Sequence, residues 1–134
     1  MKTMTRRFSA IAALSALAFG ATMLQAGGNA ETRLRARLSG ARIERLTPSG
    51  QADFRARTGS SRLNVEVEDV NVATGSLLDV YLNGNKIGTI QVAALTLGGE
   101  LELNSQDGDV VPAVAKGDVI VVRLGDRALL SGVI

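Results

Sequence analysis

The sequence predicts an all-β fold, a small antiparallel β-sandwich of eight or nine short strands, with a small closed β-barrel as the alternative. Three observations lead there. Apolar and polar residues alternate with a period of two along most of the chain after residue 30. Turn-forming pairs rich in Gly, Pro and Asn interrupt that alternation at short intervals. No segment carries the dozen or more residues of helical periodicity that a parallel-sheet crossover requires.

The elements follow in order. From Arg33 to Leu38, Leu34, Ala36 and Leu38 share one face, and Arg33, Arg35 and Arg37 share the other. A second short strand is expected over Ala41 to Leu46, before a turn at Thr47-Pro48-Ser49-Gly50. Gln51 to Arg57 places Ala52, Phe54 and Ala56 opposite Gln51, Asp53, Arg55 and Arg57. After Thr58-Gly59-Ser60-Ser61, residues Leu63, Val65 and Val67 alternate with Asn64, Glu66 and Glu68, so Gln51 to Val67 reads as a hairpin.

Asp69 to Ser76 reads as a crossing loop with partly buried valines. Leu78, Val80 and Leu82 return to the core face, with Asp79 and Tyr81 outward. Asn83-Gly84 supplies the positive torsions of a tight hairpin whose return strand is Ile87 to Val92. Val92 to Leu97 allows a short helical turn that Gly98-Gly99 stops. Leu101 and Leu103 alternate with Glu100, Glu102 and Asn104. After a polar loop, Val110-Val111-Pro112 is extended. Asp118 to Leu124, dense in Val and Ile, is the expected central strand, and Gly125-Asp126 turns it into Ala128 to Ile134, an apolar end expected to be paired.

Residues 1–26 read as a secretory signal peptide. Lys2, Arg6 and Arg7 form a positive head, Ile11 to Ala21 is apolar, and Leu24-Gln25-Ala26 ends in a small residue. The apolar stretch is too short and too weakly hydrophobic for a permanent span, so no integral membrane span is expected after cleavage. No Cys follows it for lipid attachment. Arg6-Arg7 also raises twin-arginine export, which Phe8-Ser9-Ala10 fits poorly. The expected destination is the periplasm, the cell surface or the extracellular space, with residues 27–134 as a single domain.

Composition narrows the chemistry. The chain has no His, Cys or Trp, so zinc, haem, iron-sulfur and disulfide chemistry lack their ligands. Phe54 and Tyr81 are the only large rings after residue 26. Removing Lys2, Arg6 and Arg7 leaves 12 basic against 13 acidic side chains, a net charge of about −1 that withdraws the electrostatic basis for nucleic-acid binding. The expectation is a domain without a cofactor.

Asp79-Val80-Tyr81-Leu82-Asn83-Gly84, the Pro112 to Gly117 connection and the closing Leu130-Ser131-Gly132 resemble small exported bacterial β-domains that have no settled biochemical role. The opening Leu38-Ser39-Gly40, with Pro48 and Gly50 after it, is similar to the start of chordin-type secreted β repeats, although Gly40 is not followed by that family's proline-rich segment. Neither resemblance brings catalytic residues to this chain. Internally, Val80-Tyr81-Leu82-Asn83-Gly84 and Val122-Arg123-Leu124-Gly125-Asp126 each precede an apolar return strand, an echo that recurrent hairpin geometry explains.

Charge is segregated along the chain: residues 31–62 carry eight basic and three acidic side chains, and residues 63–134 carry four and ten. One account is cross-strand pairing of Arg33, Arg35 and Arg37 with Glu66/Glu68 or Glu100/Glu102, which would set register. The other is a binding face made of Arg33, Arg35, Arg37, Arg55 and Arg57, suited to an anionic glycan, a lipid headgroup or an acidic protein surface because guanidinium forks match planar anions. Arg42 and Arg45 are further basic neighbours. Asn104, Asp107 and Asp109 offer oxygen ligands at calcium-like spacing, but without the bidentate Glu of a calcium loop. Facing glutamates from different strands would suit a carboxylate-dependent hydrolase, but no aromatic residues supply a sugar platform.

The function expected is a non-enzymatic β-domain for binding, adhesion or assembly at the cell envelope. The alternatives are a structural subunit self-associating through its C-terminal strand and a carboxylate-dependent hydrolase.

Overall fold

The computed structural model describes residues 30–134; the expected signal peptide, residues 1–26, lies outside the described residues. Eight strands follow in sequence: β1 (Thr32–Ser39), β2 (Ser49–Arg57), β3 (Ser60–Glu68), β4 (Leu77–Leu82), β5 (Asn85–Gln91), β6 (Gly99–Asn104), β7 (Val119–Leu124) and β8 (Arg127–Val133). All pairings are antiparallel, and the strands form one sheet in the order β5-β4-β7-β8-β1-β2-β3-β6. The all-β expectation holds, and the connectivity is that of a nearly closed barrel. A sandwich-like division survives within it: two four-stranded halves meet at the single pair Ser39↔Ser131.

Glycines make the close approaches. A Cβ on Gly40 would stand 1.7 Å from the Leu129 carbonyl oxygen, and one on Gly132 would stand 2.3 Å from that of Arg37, so only glycine lets β8 lie this near β1. The two ends of the sheet also approach each other. A Cβ on Gly99 of β6 would lie 2.6 Å from the Gln91 carbonyl oxygen of β5.

Alternation places the core inside the curl. Leu38, Ala52, Phe54, Leu63 and Val65 come from one half and Leu78, Val80, Ile90, Ile120, Val122 and Leu130 from the other, all in one buried cluster. Tyr81 stays on the outer face, with the Arg123 guanidinium 5.7 Å from its ring centroid. The β4–β5 and β7–β8 hairpins both shift register at matching places, Val80/Tyr81 and Val122/Arg123, so the internal echo is a repeated bulged hairpin.

Three connections refine the reading from sequence. The expected strand over Ala41 to Leu46 is absent: Glu44 takes a left-handed φ of 54°, the chain reverses, and only Ile43 and Leu46 bridge. Ile43 instead plugs the core. Val70 in the crossing loop is fully buried, and its amide donates to the Leu97 carbonyl at 2.8 Å. One helical-type turn does close at Ala93 to Leu97 through a 3.0 Å bond from the Leu97 amide to the Ala93 carbonyl, ending where Leu97 adopts a φ of 51°.

β8 is an interior strand between β7 and β1, and the sheet ends are β5 and β6. The expected C-terminal edge for self-association is therefore not an end of the sheet. No helix among the described residues is long and apolar enough to cross a membrane.

Candidate functional site

The outer face of β1, β2, β3 and β6 is fixed by register. With hydrophobic side chains turned inward, the outward residues line up in rows across the four strands: Arg33, Arg55, Arg62 and Asn104; then Arg35, Asp53, Asn64 and Glu102; then Arg37, Gln51, Glu66 and Glu100. A partial row, Ser39, Ser49 and Glu68, follows.

The first row sets three arginines directly opposite one another on neighbouring strands. Like charges in that position destabilise a sheet. Asp53 offsets part of the cost, accepting from Arg35 Nε at 3.1 Å and Arg33 Nη2 at 3.3 Å, with Arg55 Nε 3.6 Å from its other oxygen. Burial works to raise the Asp53 carboxyl, but the hydrogen bond from Arg33 and the charges of Arg33, Arg35 and Arg55 outweigh it and hold the pKa below the usual aspartate value. Arg62 has only a distant contact, 4.0 Å to Glu102.

Beside this row lies a pocket of about 130 Å³ lined by Asp53, Arg55, Arg62, Asn64 and Glu102. Two acceptors in that group, Asp53 Oδ1 and Asn64 Oδ1, are buried without a hydrogen-bond donor. The Arg55 guanidinium at 3.6 Å is an ion pair with Asp53 Oδ1, but too long for a hydrogen bond.

Of the residues named from sequence, the structure gathers Arg33, Arg35 and Arg55 around Asp53. Arg57 follows at the hairpin end of β2, where it pairs with Ser60. Arg37 stands apart, in a larger groove at the opposite end of the strands. The Arg42 guanidinium donates within its own turn, to the Glu44 carbonyl at 2.9 Å. Neither Glu66/Glu68 nor Glu100/Glu102 lies across from the β1 arginines; Asp53 takes that role. Alternation within β1 and β2 alone leaves Arg62 out of the arginine face, although the Thr58-Gly59 hairpin carries the signal: Arg57 opposite Ser60 necessarily puts Arg55 opposite Arg62.

The proposed calcium oxygens have local work. Asn104 Oδ1 accepts from the Gln106 amide at 2.9 Å, capping a 3₁₀ turn at Ser105–Asp107, and Asp109 Oδ2 accepts from the Asn104 amide at 3.0 Å. No three acidic side chains gather into a metal-holding set among the described residues. Glu66 and Glu100 do face each other from separate strands, but both are exposed, and an acid–base pair needs environments that drive its members apart.

Compared with known proteins, the chain matches no family model, no curated protein and no solved structure.

Proposed function

We propose that this is an exported, non-enzymatic binding domain that recognises an acidic glycan at the cell envelope through Arg33, Arg55 and Arg62, flanked by Arg35 and Arg57. The observation that carries the reading is the row of three directly opposed arginines, of which Arg33 and Arg55 share the Asp53 carboxylate with Arg35 while Arg62 has only the distant Glu102. A bound polyanion relieves the repulsion that the free sheet sustains. The adjacent acceptors that lack a hydrogen-bond donor, Asp53 Oδ1 and Asn64 Oδ1, favour a glycan over a lipid phosphate: a small side-chain shift in the pocket they line opens them to sugar hydroxyls, which donate, while acidic groups accept from the arginines. Export rests on the pattern of residues 1–26.

The test compares sedimentation of the protein with polygalacturonate, neutral dextran and phosphatidylglycerol vesicles at low and high salt. Selective, salt-sensitive association with polygalacturonate is expected. Equal binding to vesicles would reassign the ligand to lipid phosphate, and binding to none would remove the anion reading.

A further inference from the structure

At the other end of the same strands, away from the opposed arginines, the outer face forms a groove of about 750 Å³. Its two walls carry opposite charge. Arg35 and Arg37 of β1 stand on one side, and Glu66, Glu68 and Glu100 of β3 and β6 stand on the other. Gln51 lies between them and donates to Glu66 Oε1 at 3.3 Å. Among the described residues, Arg37 and the three glutamates take part in no ion pair. Glu66 and Glu100 are directly opposed, a second like-charge pairing that works against the sheet. Thr96 closes the end, in a loop pinned to the neighbouring crossover by the Asp69 amide donating to the Thr96 carbonyl at 3.3 Å.

A ligand of one sign would satisfy one wall and be repelled by the other. A ligand with both charges satisfies both, and sheet geometry sets their spacing. Arg37 and Glu66 share a row two strands apart, which puts their backbones about 10 Å apart, and side chains standing perpendicular to the sheet keep their charged ends at about that spacing. An extended peptide advances about 3.3 Å per residue, so about three residues separate the two charges. We propose that this groove binds a short free peptide of about three residues, its terminal carboxylate on Arg37 and its terminal ammonium among Glu66, Glu68 and Glu100. Ser49 and Gln51 face the peptide's middle. This ligand class goes beyond the glycan reading and does not depend on it, because the peptide's termini meet Arg37 and Glu66, Glu68 and Glu100, none of which belongs to the glycan site; Arg35, held by Asp53, borders both.

The experiment is an amide chemical-shift titration of the isotope-labelled protein with trialanine. Shifts are expected at Arg37, Gln51, Glu66 and Glu100. N-acetylated and C-amidated trialanine should each bind roughly fivefold more weakly, the scale of one exposed charge contact. Dialanine and pentaalanine should bind less well than trialanine. In Arg37→Gln the free and amidated peptides should become equivalent, and in Glu66→Gln/Glu100→Gln the free and acetylated ones should; a merely structural role would not produce this exchange of preferences. The proposal is overturned if millimolar trialanine leaves the groove amides unmoved, if both capped forms bind as well as the free peptide, or if affinity ignores length. None of these outcomes touches polygalacturonate binding, so the two readings fail separately.

Discussion

Replacing Asp53 with Asn should make the protein less stable and a better polyanion binder at once. The carboxylate meets three guanidiniums at 3.3, 3.1 and 3.6 Å, on side chains 42%, 64% and 38% exposed. At such exposure each pair contributes only about 0.3 kcal/mol after screening, so the three together contribute about 1 kcal/mol. For a domain of this size that lowers Tm by about 4–8 °C. The pH dependence has a fixed sign. The folded Asp53 pKa is depressed below its unfolded value, so its stabilisation is present above the unfolded pKa and disappears as pH falls through the folded one. Wild type and Asp53→Asn should therefore differ at neutral pH and converge in acid, and should also converge in about 1 M salt. Freed of their shared counterion, Arg33, Arg35 and Arg55 should hold polygalacturonate about fivefold more tightly at low salt. Denaturant melts across pH, paired with sedimentation binding, read both effects. Parallel stability curves for the two proteins, or weaker polyanion binding in the folded variant, would refute the reasoning.

Three further outcomes are expected. Arg33→Glu/Arg35→Glu/Arg37→Glu should lower the denaturant midpoint, because it surrounds Asp53 with like charge, and should abolish polyanion binding while circular dichroism retains the β spectrum. Gly40→Ala should cost about 3 kcal/mol in denaturant unfolding, since its Cβ meets the Leu129 carbonyl oxygen of the backbone and forces β8 from β1; Gly59→Ala, with open space but a φ of 81°, should cost only about 1 kcal/mol. The Asp118 pKa is held low by the Ala115 amide, which donates at 2.8 Å, and by Asn83, so Asp118→Asn should lower stability at neutral pH, with the difference fading as pH falls through the depressed pKa in an acid titration.

The sequence and the fold agree where interactions are local. Strict alternation in Arg33 to Leu38 reveals which side of β1 is wet, and Thr58-Gly59 sets the whole β2–β3 register. The same alternation misleads at Ala41 to Leu46, because nothing local shows that Glu44 will turn left-handed. Non-local pairing leaves no mark in the local pattern. That β6 joins β3, rather than its neighbour in sequence, decides that Glu100 faces Glu66 and that the acidic groove wall exists. Closure of the sheet depends on Gly40, Gly99 and Gly132, whose role is a close approach between distant segments rather than a turn. The arginine face was legible as three side chains of β1. Its division into an Asp53-centred cluster and a separate Arg37 groove required the register across four strands.

The central claim is that the opposed arginines bind an acidic glycan, and Arg55→Gln/Arg62→Gln tests it most directly because it removes the repulsive pair while leaving the core untouched. The measurement is the polygalacturonate dissociation constant of this variant and of wild type across a salt series, with Tm recorded for both. The account predicts a folded variant at least as stable as wild type, with affinity reduced by about tenfold or more at low salt and a shallower salt dependence. Unchanged affinity and salt slope in a folded variant would contradict it.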